Sequence, residues 1–244
     1  MGKFVLTNVR LFTGGADLTG ASNKLEISAE VADEDATTFG SGGWKEVKAG
    51  LAATEITAEG FWEAGDLSMV DDAQWTALGG LGPWSAGPAG ANVGDLAYFT
   101  NALTGSYALG GEVGSMAPWS GKANSSWPLV RGQVAHPPGT ARTASGTGVG
   151  TQLGAVPAGK QLYAALHVLS VAGTATPSLT VAIESDTASG FAAPTDRLTF
   201  AAATARGGQI LRVPGPLTDT WFRPKWTVAG TAPSFLFVVA LGIA

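Results

Sequence analysis

The chain contains no cysteine, only two histidines and three methionines, and just 14% of its 244 residues are charged. Without thiols it has no disulfide framework and no thiolate metal site, and nothing in its composition reports a redox compartment. His136 and His167 are too few to supply a histidine-based zinc centre. No apolar run approaches the roughly 18 residues that suggest a membrane span, the longest being the C-terminal FLFVVALGIA. That run reads instead as a buried or intersubunit strand. The opening MGKFVLTNVR has no long apolar segment, so nothing in it reads as a secretory signal. Charge is scarce against the usual share of about 25%, whereas 35 glycines imply many turns. Eight tryptophans and ten phenylalanines supply enough apolar area to argue against disorder.

The few charges are unevenly spread. Residues 1–100 carry 14 acids and 5 bases, and residues 101–244 carry 5 acids and 9 bases. The first half would repel phosphate, which argues strongly against nonspecific nucleic-acid binding there. Halves of opposite sign can also attract one another between copies.

Periodicity points to an all-β chain with one short helix. In KLEISAEV, Leu25, Ile27, Ala29 and Val31 alternate with Lys24, Glu26, Ser28 and Glu30, so one face is apolar and the other solvated. EITAEGFW (55–62) reads as a second strand and WKEVKAGL (44–51) as a third, with an acid-rich turn and glycines between them. DDAQWTALGG (71–80) is the helix candidate, capped by Asp71 or Asp72, with Trp75 and Leu78 on one face. A proline- and glycine-rich connection over 81–94 precedes strand-like pieces at 95–102, 106–113, 114–121 and 127–134. HPPGT at 136–140 is the best linker, since two prolines interrupt any ladder. Beyond it, QLYAALHVLSV (161–171) is apolar on both faces, as in a central strand. Five further strands are expected at 178–185, 196–202, 208–215, 221–230 and 234–243. The organisation implied is two β-sandwich or barrel units, 1–135 and 142–244, joined by 136–141.

Patterns that carry chemistry are absent. There is no G-x-S-x-G elbow and no Walker A loop, and GTGVGTQLG (146–154) has Leu153 where a dinucleotide loop needs its last glycine. Asp33, Glu34 and Asp35 lack the ligand spacing of an EF-hand, and adjacent acids on a strand end point to opposite faces. His167, within an apolar strand, reads as a hydrogen-bonded structural residue with no nucleophile or acid beside it in sequence, and His136 as a loop residue. Trp84, Trp119, Trp127 and Trp221 could serve as sugar-stacking platforms. Core or interface roles fit better, because no polar cluster accompanies them. NSS at 124–126 is only a formal glycosylation acceptor. The chain is therefore expected to be non-enzymatic and to hold no cofactor or metal.

Two stretches carry a resemblance. GADLTGASNKLEISAEVADEDATTFGSGGWKEVKAGLAATEITAEGFWEAG, with its DLTG, alternating strand, acid-rich DATTFG and closing GFW, resembles the start of major tail proteins, the tail tube proteins of long-tailed (siphovirus-type) bacteriophages. LYAALHVLSVAGTATPSLTVAIESDTASGFAAPTDRLTF and TDTWFRPKWTVAGTAPSFLFVVALGI are similar to phage virion proteins of this type. The resemblance implies tail-tube-type β domains and stacked rings around a channel through which the genome passes without specific binding. The rings would be hexameric, or pseudo-hexameric trimers if each chain holds two such domains. It implies a virion location after assembly in the host cytoplasm, no membrane partner, and self, tail terminator, tape measure and tail tip proteins as partners. Glu26 and Glu30 become channel-lining candidates, and Asp33, Glu34, Asp35, Phe39, Trp44, Phe61 and Trp62 become ring or subunit contact candidates. The rival readings are a phage decoration, adsorption or glycan-binding β-sandwich module and, more remotely, a hydrolase of unrecognised type.

Overall fold

A computed structural model describes residues 5–244. Residues 1–4, which belong to the stretch examined for a leader and to the expected first unit, lie outside the described residues. The chain runs β1 (Arg10–Thr13), β2 (Ala16–Asp17), β3 (Ser22–Asp35), β4 (Val47–Phe61), α1 (Val70–Ala77), β5 (Leu81–Gly87), β6 (Leu96–Leu109), β7 (Pro118–Ser125), β8 (Val130–His136), β9 (Gly146–Thr147), β10 (Thr151–Gln152), β11 (Gln161–Asp186), β12 (Thr195–Thr199), β13 (Gly207–Pro214) and β14 (Trp221–Ile243). The fold is all-β with one short α-helix. Its strands form a single antiparallel network whose main path is β12–β11–β14–β8–β6–β5–β1–β2, and β6 branches through β7 and β4 to β3.

Several expected strands are fused. The segments 161–171 and 178–185 are one strand, β11, and 221–230 and 234–243 are one strand, β14, paired with it. Straight, β11 would span about 85 Å at roughly 3.3 Å per residue. It bends because the pairing slips between Val168 and Ser170, between Ala172 and Thr174, and between Thr174 and Ser178. Gly173 and Gly230 lie at this waist with φ of 128° and 111°, values that side chains disfavour. The ribbon thereby folds onto itself, and Trp226 from one layer meets Phe237 from the other at 5.7 Å between ring centres. Leu162, Leu166, Val181, Ile183, Phe222 and Phe237 fill the space between the layers.

The first part of β11 is apolar on both faces, as expected. Leu162, Ala164, Leu166 and Val168 face this C-terminal core. Tyr163, Ala165 and Leu169 face a second core shared with Phe12, Phe99, Val130 and Val134 of the N-terminal strands. His167 is the polar member of that second row. Its Nδ1 lies 2.9 Å from the Gly14 carbonyl and its Nε2 2.7 Å from the Ser85 hydroxyl, so it pins β11 to β1 and β5. Burial depresses its pKa to about 4.

A third core, Leu11, Ile56, Ala58, Trp84, Ala102, Trp119 and Ala123, is covered by Val70 of α1. The helix is capped differently from expectation: Met69 is the N-cap, without a side-chain bond, and Asp71 and Asp72 sit inside the first turn. There they complement the positive end of the helix. Trp75 and Leu78 are exposed, because the core-facing positions are Val70 and Gln74. Gln74 is fully buried, and among the described residues neither of its amide atoms has a hydrogen-bond partner. Leaving such a group unpaired costs about 1–3 kcal/mol. Gln74→Met, close in volume, is expected to raise stability by about that amount. Denaturant unfolding checks this, and a lower midpoint for the variant would refute it.

Three other expectations are corrected. The connection over 81–94 contains β5. Pro83 is tolerated there because β1 ends its pairing at Trp84, and the Gly14 amide donates to the Pro83 carbonyl. The pieces at 95–102 and 106–113 belong largely to one strand, β6, which ends at Leu109. His136 is not a loop residue but the last residue of β8, almost completely buried and stacked on Phe237 at 4.1 Å.

Candidate assembly interface

Strands β3 and β4 pair from Ser22↔Gly60 to Asp35↔Val47. The next strand, β7, accompanies β4 only from Glu55 to Phe61. Beyond that point residues 29–35 and 47–54 continue as a two-stranded arm, reaching about 20–25 Å past the three-stranded part. Asp33, Glu34 and Asp35, expected in a turn, are strand residues of this arm. WKEVKAGL is not a separate strand, because 47–51 belong to β4 and 44–46 to the tip. The pattern misleads here because both faces of the arm are solvated from Val47 to Ala53, so no alternation survives there.

The tip, residues 36–46, is a closed and internally bonded loop. Thr38 caps a short 3-10 turn at Phe39–Ser41, accepting from the Gly40 amide, while Ser41 Oγ accepts from the Thr38 amide. Gly42 then takes the left-handed conformation at φ 61°. Asp35 accepts from the Thr37 amide at 2.9 Å, and the Thr37 hydroxyl first, then this amide, holds its carboxyl below the usual range. The Thr37 hydroxyl accepts from the Glu46 amide. Backbone and small polar groups thus shape the tip, and its large side chains are left over. Phe39 is wholly exposed, Trp44 is 81% exposed and Leu51 86% exposed. A two-stranded hairpin is marginal alone, and exposed aromatic rings such as Phe39 and Trp44 are the residue types enriched at protein–protein contacts.

The solvated face of β3 carries the charges, from the anchored half into the base of the arm. Lys24, Glu26, Ser28 and Glu30 alternate away from Leu25 and Ile27, which pack on the core. Lys24 binds Glu59 at 2.7 Å and Lys122 binds Glu55 at 2.5 Å. The bonded partner raises the pKa of Lys24 and lowers that of Glu55. Among the described residues, Glu26 and Glu30 have no ion-pair partner, so two carboxylates on this strip are uncompensated.

The contact candidates do not form one patch. Phe61 and Trp62 lie at the far end of β4 from Phe39 and Trp44, about 50 Å along a strand of this length. The Trp62 indole donates to Asp71 at 3.0 Å, and the Tyr107 hydroxyl donates to the same oxygen at 2.5 Å. These bonds, Tyr107 first, hold the Asp71 carboxyl below its usual range. Burial, then Asp71, pushes the Tyr107 phenol well upward.

Sequence reasoning missed that His167 acquires a hydroxyl neighbour 82 residues away. The Ser85–His167 distance suits a nucleophile and base. Both groups are buried, however, and His167 Nδ1 meets a backbone carbonyl instead of a carboxylate, so the pair is built as a pin. Ser185 is likewise engaged, donating to Asp219 at 2.6 Å and accepting from Arg197 at 2.7 Å. Trp84 and Trp119 are core residues, unavailable as sugar platforms. Among the described residues, no group of three or more His, Asp or Glu is positioned to hold a metal ion.

No family model matches the chain, and no curated protein matches it. Among solved structures it is similar to a chain of the virion of a native gene transfer agent particle, at 16% identity, covering 46% of this chain and 84% of the other, with a TM-score of 0.38. A chain from the tail of an empty gene transfer agent particle with C6 symmetry aligns at 18% identity over 51% and 93%, TM-score 0.39. The SPP1 Dit protein, described as a paradigm of hub adsorption apparatus in phages infecting Gram-positive hosts, aligns at 10% identity over 97% and 99%, TM-score 0.35. Similarity this distant carries no functional argument, which rests instead on the arm and its charged face.

Proposed function

We propose that this chain is a structural virion protein, the major tail tube subunit of a long-tailed bacteriophage, which self-assembles into stacked rings around a channel for the genome. The observation that carries this reading is the projecting β3–β4 arm, a rigidly closed tip with Phe39 and Trp44 offered to solvent. Such a feature has a use only when another molecule covers it. The sequence resemblance supports a copy of the same chain as that molecule. Asp33, Glu34 and Asp35 lie along the arm and would border the contact. Phe61 and Trp62, at the other end of β4, would belong to a different one.

In this reading the polar strip with Glu26 and Glu30 faces the channel, where uncompensated carboxylates repel DNA phosphates and keep the genome from adhering. The proposed units 1–135 and 142–244 would occupy equivalent ring positions in a trimer, or the second would decorate a hexamer. The tail terminator, tape measure and tail tip proteins would bound the tube. Catalysis has no part in this function.

Negative-stain microscopy of concentrated protein tests the reading: rings or tubes are expected, and a strict monomer under all solution conditions would overturn it. Glu26→Lys with Glu30→Lys is expected to leave folding intact, since both side chains are exposed, and to slow genome ejection from assembled particles. Unchanged infectivity would argue against a channel position for this strip.

A further inference from the structure

The face around α1 is acidic and rich in exposed aromatic and apolar side chains. Segment 62–66 folds back on the helix, with the Gly65 amide donating to Asp72 at 2.8 Å. The Trp62 amide donates to the Ala117 carbonyl and so ties the 110–117 loop alongside. Trp75 lies one helical turn beyond Asp71, on the same side as the Trp62–Asp71–Tyr107 cluster. Trp75 is 69% exposed, and Leu67, Leu78, Val113 and Met116 are exposed with it. Segments 61–80 and 110–117 together contain Glu63, Asp66, Asp71, Asp72 and Glu112 and no lysine or arginine. Asp66, Asp71 and Asp72 are engaged in local hydrogen bonds, and Arg206 acts on Asp66 from the C-terminal half. Glu63 and Glu112 remain as exposed, uncommitted charges.

The opposite chemistry gathers at one end of the C-terminal strands. There β8 and β11 begin and β13 and β14 end, with Leu162 level with both Ile243 and Val213. Arg131, Lys160 and Arg212 sit at this end, all exposed and, among the described residues, without an ion-pair partner. The Arg212 guanidinium lies 4.5 Å over the Trp127 ring, which leaves its donors free toward solvent.

We propose that the acidic α1 face of one subunit docks the Arg131–Lys160–Arg212 end of a second copy of this chain. The inference rests on the reading that copies of the chain assemble. It commits to a second copy because one chain carries both halves of the complementarity, 14 acids against 5 bases before residue 100 and 9 bases against 5 acids after it. Docked this way, Trp75 is the anchor and the surrounding charges set orientation. The two surfaces are different patches, so the contact is head-to-tail. It closes into a ring or propagates, and a two-fold dimer leaves one of each pair unfilled.

A charge swap on the full chain tests this. Glu63→Lys with Glu112→Lys makes one variant, and Arg131→Glu with Arg212→Glu makes the other. All four positions are exposed, and circular dichroism and thermal melting verify the fold. Each variant alone is expected to self-associate about tenfold or more weakly than the parent at low salt, because its own faces now repel. An equimolar mixture is expected to recover association, since each variant then presents what the other lacks. Trp75→Ala is expected to weaken association at both low and about 0.5 M salt, where charge effects are screened. Sedimentation velocity reads all of these. Parent-like assembly of either charge variant, or a mixture that stays dissociated, overturns the proposal while leaving the tail reading intact. A parent chain that never assembles overturns both.

Discussion

Replacing Phe39 and Trp44 together by serine is expected to leave the subunit folded and to abolish its assembly. Neither ring holds the tip together. Thr38 and Ser41 cap the short turn, Thr37 bridges to the Glu46 amide, and Gly42 supplies the left-handed residue. Both side chains are exposed in the isolated subunit, so their removal subtracts almost nothing from folding. In an assembled contact, buried aromatic anchors are worth about 2 kcal/mol or more each. At about 1.4 kcal/mol per tenfold, the pair would raise the critical concentration on the order of 100-fold to 1000-fold. Sedimentation reads the loss of assembly, and a thermal midpoint within about 2 °C of the parent shows that the fold survives. Parent-like tubes from the double variant would sink the arm as an assembly contact. Leu51→Ser, on the arm outside the tip, distinguishes a contact confined to the tip from one that runs along the whole arm.

Stability is expected to fall steeply as pH drops from about 6.5 to about 4. Both histidines are buried and held at about 4 instead of 6.5, chiefly by desolvation. Above pH 6.5 neither the folded nor the unfolded chain binds these protons, so full stability is present. Below 6.5 the unfolded chain takes them up first, and stability is lost until the folded pKa is reached. A depression of this size corresponds to roughly 3 kcal/mol per histidine, so the pair removes on the order of 6 kcal/mol. That is comparable with the whole stability of a typical domain, about 5–15 kcal/mol. For His136 the geometry adds a second cause. Its Nδ1 meets the Phe237 carbonyl, and its Nε2 accepts from Arg142, so a proton on Nε2 would face a guanidinium. At His167 the Ser85 hydroxyl can rotate to accept, and the cost is burial itself. Asp186 and Asp219 act in the same direction at lower pH. Backbone amides hold Asp186, and Ser185 and Arg197 hold Asp219, below the usual carboxylate range, and that stabilisation disappears as they protonate. Urea unfolding at pH 7.5, 5.5 and 4.5 measures the slope. His136→Gln is expected to be less stable than the parent at pH 7.5 but to lose about half of the pH dependence. Equal stability at pH 7.5 and 4.5 in the parent would contradict the buried neutral imidazoles.

Where burial is one-sided, the sequence was readable. Leu25 and Ile27 alternate with Lys24 and Glu26 because the anchored half of β3 has a core on one face and water on the other. The double-faced apolar run at 161–171 is legible for a different reason: it is a wall between two cores, and an unbroken apolar run marks it. The arm was legible only in part: the expected strands 24–31 and 44–51 overlap it, but the strand at Asp33–Asp35 and the continuity of 47–51 with 55–61 were not. Asp33–Asp35 and Val47–Ala53 are solvated on both faces, so hydrogen-bond pairing alone makes them β, and pairing leaves no periodic signature. Nor was the continuity of β11 and β14 legible, because glycine and proline at the waist read as the end of a strand when they mark its bend.

The all-β class, the solvated Glu26–Glu30 row, the small helix and the buried double-faced strand are written in the local pattern of residues. Each follows from local alternation, turn residues and composition. Tertiary structure alone decided that Phe39 and Trp44 stand on a projecting arm and that Phe61 and Trp62 lie far from them. It also decided that His167 meets Ser85 and that Arg131, Lys160 and Arg212 share one end of the sheet. These are relations between residues about 20 to about 80 positions apart, set by which strand edges pair. Many sequences with the same local pattern could pair their edges differently, so the register that brings these groups together is a property of the folded chain.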